Sequence, residues 1–253
     1  MEKVGAACLL GAIAAEARMV ILAEGYATAA SVRQATSDQI PVMVAFDAGN
    51  LLAVAQILRR DFPDLHLLFA ADDDYLLEQR FIERLHEDFK VTADIALNGV
   101  EHDVAGEDGT SVLVTASWQN DARGVAYIEA DVRCGRQIRT LKFENAGISC
   151  AKAAAHAVGN ASVVWPRFAK RDGQKWTDFN DLHVEQSLDA VREQILAAME
   201  KAAPPPSLAR PALALVKSPP PSGTEAAPPS SEGAGGASAE GAGEKRKKPR
   251  KEY

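Results

Sequence analysis

The chain has 253 residues, enough for one or two domains, with 28 Lys and Arg against 35 Asp and Glu and a net charge of −7. Eight basic and five acidic residues lie from Ala203 onward, which leaves 20 against 30, or −10, for the body before it. Such a body is a poor DNA-binding surface by itself, because that binding is driven by Lys and Arg neutralising phosphates. Three cysteines, Cys8, Cys134 and Cys150, show no metal-ligand spacing and no Cys-x-x-Cys pair. A zinc ribbon is therefore not expected, and reduced thiols in a cytoplasmic protein are.

Val4 to Ala15 is a short apolar run in which Ala12-Ile13-Ala14 mimics a cleavage site. Glu2 and Lys3 cancel, so the charged start of a signal peptide is missing and none is expected. No stretch approaches the ~20 apolar residues of a membrane span, and no membrane association is expected. Met19 to Ala23 then reads as a strand buried on both faces, ending in Glu24 and turning at Gly25. Tyr26 to Thr36 reads as a helix, stopped by Thr-Ser-Asp-Gln-Ile-Pro. A second strand, Val42 to Phe46, ends in Asp47-Ala48-Gly49-Asn50, and Leu51, Val54 and Leu58 recur at helical spacing after it. A third strand, Leu65 to Ala71, runs into Asp72-Asp73-Asp74. This β-α-β-α-β order implies parallel strands with right-handed crossovers.

Past Asp74, Leu77, Phe81, Leu85 and Phe89 form one apolar helical stripe. Residues 98–142 are β-rich, with a hairpin expected at Cys134-Gly135. The sheet pattern resumes with a helix from Ser149 to Val158 and a strand from Ala161 to Trp165. A polar loop from Arg167 to Thr177 delivers Asp178-Phe179-Asn180-Asp181, and a helix is expected from about Val184 to Lys201. From Ala203 the composition is that of a disordered Pro-, Ala-, Gly- and Ser-rich linker, closing on the basic Lys-Arg-Lys-Lys-Pro-Arg-Lys of residues 245–251. That patch suits nucleic acid or acidic proteins, or serves only to keep the chain soluble.

Acids at the carboxyl ends of parallel strands lie where open α/β sheets bind ligands. Clustered hard oxygens there suit Mg²⁺ or Mn²⁺. Asp72 and Asp74, two apart on extended chain, point the same way, whereas Asp73 faces the other side and is expected to cap the next helix. Glu24 is a metal ligand if ionised and a general acid if the crowd of carboxylates keeps it protonated. Asp47 and Asn50 form a turn and helix cap lining the cleft, or touch substrate directly. Lys175 and Arg171 are candidate phosphate contacts or solvated loop charges. Trp165 and Trp176 would stack on a base, though burial is their default.

A glutamate closing one strand and an Asp-x-Asp closing a later one resemble the Toprim domain of topoisomerases and primases. The surrounding text is similar to the Toprim regions of plasmid- and phage-type primases. The matching blocks are ILAEGYATAASV (21–32), VMVAFDAGNLLAVAQIL (42–58), LLFAADDD (67–74), NAGISCAKAAAHAVG (145–159) and TDFNDLH (177–183), together about half the chain. The resemblance implies a Toprim-like parallel sheet flanked by helices over residues 1–202, with residues 75–143 as an inserted α+β subdomain and 203–253 as a disordered tail. It implies catalytic, metal-binding Glu24, Asp72 and Asp74, with Asp178, Asn180 and Asp181 close to the metal. Single-stranded DNA and a replication or primase partner protein are the implied partners. The segment that such primases carry before Toprim, often zinc-binding, is not expected here, nor is a helicase phosphate loop. Three readings follow: a metal-dependent primase-type nucleotidyltransferase, a Toprim nuclease, and a non-catalytic scaffold for a replication or conjugation partner.

Overall fold

A computed structural model describes residues 4–171 and 173–202, which fall within one compact unit. The expected tail, 203–253, lies outside the described residues. The first sheet has five strands: β1 (Cys8–Leu10), β2 (Met19–Ala23), β3 (Val42–Val44), β4 (His66–Ala70) and β9 (Ala161–Val164), in the order β1-β3-β2-β4-β9. Strands β3, β2, β4 and β9 run parallel, with Ile21 opposite Val42 and Leu68, whereas β1 pairs antiparallel with β3. The antiparallel edge strand was not expected from the short run between Val4 and Ala15. Its three residues are too few to carry a period.

Period-two alternation explains the layers. Val20, Leu22, Leu67 and Phe69 point to one face, where α2 (Leu51–Asp61) and α4 (Ala146–Val158) cover them with Leu51, Val54, Leu58, Ile148 and Ala151. Ile21, Ala23 and Leu68 point to the other, under α1 (Tyr26–Ala35), α5 (Phe179–Glu185) and α6 (Leu188–Ala202). Both faces are buried, as the unbroken apolar runs demanded.

The helix expected from about Val184 is two helices. An Asp178–Asp181 capping box starts α5 early, and the Ser187 hydroxyl, accepting from the Ala190 amide at 3.1 Å, starts α6 afresh. Between β4 and α4 the chain builds a second sheet, β5 (Asn98–Ala105), β6 (Ser111–Asn120), β7 (Ala126–Cys134) and β8 (Gln137–Glu144), antiparallel in sequential order. Helix α3 (Leu77–Phe89) lays its four expected apolar residues on Val112, Val114, Ala116, Ile128, Ala130 and Val132. The hairpin turns after Cys134, as its sequence indicates.

Candidate functional site

The connection leaving β2 passes through α1 to β3 on one side, whereas β4 leads eventually to β9 on the other. Neighbouring β2 and β4 thus flank a topological switch point, where a crevice opens at the carboxyl ends of the strands. Glu24 follows β2, Asp72 and Asp74 follow β4, and Asp47 follows β3. Asp178 and Asp181 arrive from the start of α5, which packs on α1 through the buried Phe179 and Leu182.

The charges of these groups act on one another. Burial raises the Glu24 carboxyl above its ordinary value; a hydrogen bond from the Ala48 amide opposes this, and Asp74, Asp47 and Asp178 add repulsion. Burial also leads for Asp72, and with Glu24, Asp178, Asp74 and Asp181 it pushes that carboxyl up to about 8. One Asp72 oxygen, Oδ1, is buried without a hydrogen-bond partner. An orphaned carboxyl oxygen within the field of four other acids is a place for a proton or a cation.

Among the described residues no three His, Cys, Asp or Glu side chains stand as a ready-made metal cage. The arrangement nonetheless fits Mg²⁺ in kind, because that ion keeps several waters and takes one or two carboxylates together with substrate phosphate. Asp72 and Asp74, with Glu24 across the switch point, are the residues that would hold it.

The remaining sequence-derived residues take varied places. The Asp47 carboxylate caps the turn after β3 by accepting from the Asn50 amide at 2.9 Å. Asn50 is buried, and its side chain accepts from Gly5 N at 2.7 Å and donates to Ala6 O and Ala45 O. Lys175 is exposed and shares a small cleft with Asp74, Arg80 and Thr177. Asp178 accepts from the Thr28 hydroxyl at 2.8 Å, and Asn180 Oδ1 accepts from Ser31 at 3.2 Å, so both also dock α5 on α1. Asp181 Oδ2 accepts from the Thr177 amide at 2.7 Å and closes the capping box.

Asp73 caps no helix, contrary to expectation; Leu76 is the residue before α3. Its Oδ2 pairs with Arg171 at 2.7 Å, and its Oδ1 accepts from Asn145 Nδ2 at 2.7 Å. Arg171 is therefore neither a free phosphate contact nor a solvated charge. It is a clamp that ties the loop after β9 to the aspartate segment, with its guanidinium 4.0 Å from the Tyr75 ring centroid. Trp165 and Trp176 are half-buried, and Trp176 stacks on Phe168.

Three residues went unassigned in the sequence. Asn145 caps α4 at Ile148 and also accepts from the Asp74 amide at 3.2 Å, so one side chain fixes both helix and acid segment. An Asn immediately before a helical run is a readable cap, although its second partner is not. Gly147 lets α4 approach so closely that a Cβ there would lie 2.3 Å from Asp72 O. Phe46 adopts a φ of 68° beside Asp47 while 56% exposed, a backbone conformation that bulky residues rarely adopt.

Fold and site together define a parallel α/β protein with an acid-lined crevice at its switch point. Two curated Escherichia coli proteins, each named DNA primase TraC, are similar to this chain. One is 31% identical over 196 residues, covering 74% of this chain and 13% of that protein. The other is 48% identical over 60 residues, covering 24% of this chain and 6% of that protein. The chain thus spans only a small fraction of the length of these relatives. No family model matches it, and no solved structure does. Among the described residues no helix is long and apolar enough to cross a membrane.

Proposed function

We propose that this chain is a primase-type, DNA-handling protein of plasmid or other mobile-element replication, built on a Toprim-like sheet that uses Mg²⁺ or Mn²⁺. The observation that carries the reading is the meeting of Glu24, Asp72 and Asp74 at one switch point, with a buried Asp72 oxygen left unpartnered. Similarity to a segment of a DNA primase supports the same choice. A divalent ion held there would neutralise phosphate charge and polarise the reacting oxygen.

The chain's own groups have separable tasks. Asp72 and Asp74 supply anionic oxygens, and Asp73, paired with Arg171, keeps their segment in place. Glu24, with its raised pKa, supplies a further ligand when ionised or holds a proton when not. Lys175 lies beside Asp74, where it can meet a phosphate. Single-stranded DNA is the proposed template, and a replication protein the proposed partner for an acidic body.

The test incubates the protein, alone and with candidate primase partners, with single-stranded DNA, nucleoside triphosphates and Mg²⁺ or Mn²⁺. Short oligonucleotides should appear, and Glu24→Gln should end their synthesis without unfolding the chain. Divalent-dependent cutting without nucleotides would assign a nuclease instead. Neither activity, with Glu24→Gln silent in the biological phenotype, would leave the scaffold reading.

A further inference from the structure

A second surface lies where the antiparallel unit meets the first sheet. Tyr75, Trp118, Gly124, Asn145, Lys152 and Trp165 line a groove of about 260 Å³ there. Trp118 continues the inward-facing series Val112, Val114 and Ala116 along β6, but the core has ended, and its side chain is 42% exposed. Its ring has no aromatic or cationic partner among the described residues. Across the groove, the Lys152 ammonium stands 5.5 Å from the Trp165 ring centroid, while Arg167, 5.4 Å from the same ring, lines the neighbouring cleft with Gln194 and Lys201. Arg171 stands over Tyr75.

The charge there is the reverse of the molecule's average. The groove lining contains no carboxylate, although the body carries −10. Two acids near it are committed: Asp73 to Arg171, and Asp121 to the amides of Arg123 and Val125. Lys152 donates to the Arg123 backbone carbonyl at 3.4 Å, which holds the ammonium at the groove's edge. Asn145 lines the groove and also holds Asp73 and Asp74, so the groove borders the aspartate segment.

Aromatic faces interleaved with cations form the pattern that grips single strands, with bases stacking on rings and cations tracking phosphates. We propose that this groove holds the single-stranded nucleic acid that enters the Asp72–Asp74 crevice, with Trp118 stacking a base and Lys152 meeting the backbone. The proposal rests on the DNA-handling function above and supplies a carboxylate-free, aromatic surface on an otherwise acidic body. It also gives the antiparallel unit a role, since β6 contributes the exposed ring.

The test uses the full chain and two fluorescent probes of equal length, an oligothymidylate of about a dozen nucleotides and its abasic counterpart, in low salt. Any contact from the basic residues 245–251 would be to phosphates and equal for both probes, so the preference for bases reports the groove. Wild type should favour the oligothymidylate about tenfold, with quenching of tryptophan emission, and Trp118→Ala should erase the preference without changing the melting temperature. Trp118→Phe should restore most of it. Lys152→Ala should weaken both probes and lower the salt slope by about one. Glu24→Gln should lose synthesis yet retain the preference, which separates the groove from the catalytic reading. Equal preference in wild type and Trp118→Ala, or loss of a protein partner alone, would overturn the groove and leave the proposed function standing. Failure of wild type to bind either probe would overturn both.

Discussion

Replacing Asp72 with Asn should make the protein more stable at neutral pH. In the unfolded chain this carboxyl titrates near 3.8; in the crevice it is pushed up to about 8. A raised acid favours the folded state fully only below its unfolded value, and that contribution is lost as pH climbs toward the folded value. Each pH unit in that window removes about 1.4 kcal/mol, a ceiling of about 4 kcal/mol by pH 7. Water at the mouth of the crevice screens part of it, so Asp72→Asn should gain about 2 kcal/mol at pH 7. For a body of this size that is a rise of roughly 4–8 °C in melting temperature. The assay is denaturant unfolding of both proteins, without divalent ions, at steps from about pH 4.5 to 8.5. The advantage of the variant should be small at the acid end, widen with pH, and level off near the folded value. A constant gap across the range would refute the reasoning, since only a titrating group gives the difference a slope.

Adding Mg²⁺ or Mn²⁺ should raise the wild-type melting temperature by mass action, and Asp72→Asn with Asp74→Asn should abolish the rise; thermal scans with and without the ion check this. Gly147→Ala puts a methyl group against Asp72 O, so it should cost about 1–3 kcal/mol and depress any Glu24-dependent activity further than stability explains. Arg171→Met removes the partner of the largely buried Asp73, with an expected loss of about 2 kcal/mol and faster proteolysis between Pro166 and Thr177.

The parallel strands were legible because Met19–Ala23 and His66–Ala70 are short unbroken apolar runs bounded by turn signals and separated by helical spacing. The stripe Leu77, Phe81, Leu85 and Phe89 fixed one face of α3 by its spacing alone. Glu24, Asp72 and Asp74 were legible because a strand end followed by acid is a local pattern. Local sequence also carried the Asp178–Asp181 capping box, whose geometry moved the start of α5 ahead of the expected helix.

What the sequence could not state are the contacts made across long stretches of chain. Asp73 looks like a helix cap until Arg171, 98 residues later, takes its Oδ2, and Asn145 its Oδ1 from 72 residues away. Asp178 and Asn180 find Thr28 and Ser31 only because α5 packs on α1. Gly147 shows its reason only when α4 lies against Asp72. The groove needs Trp118 from one sheet and Trp165 from the other. Local composition sets which residues become strand, helix or turn, whereas burial and the raised Asp72 carboxyl depend on which distant groups the packed chain brings together.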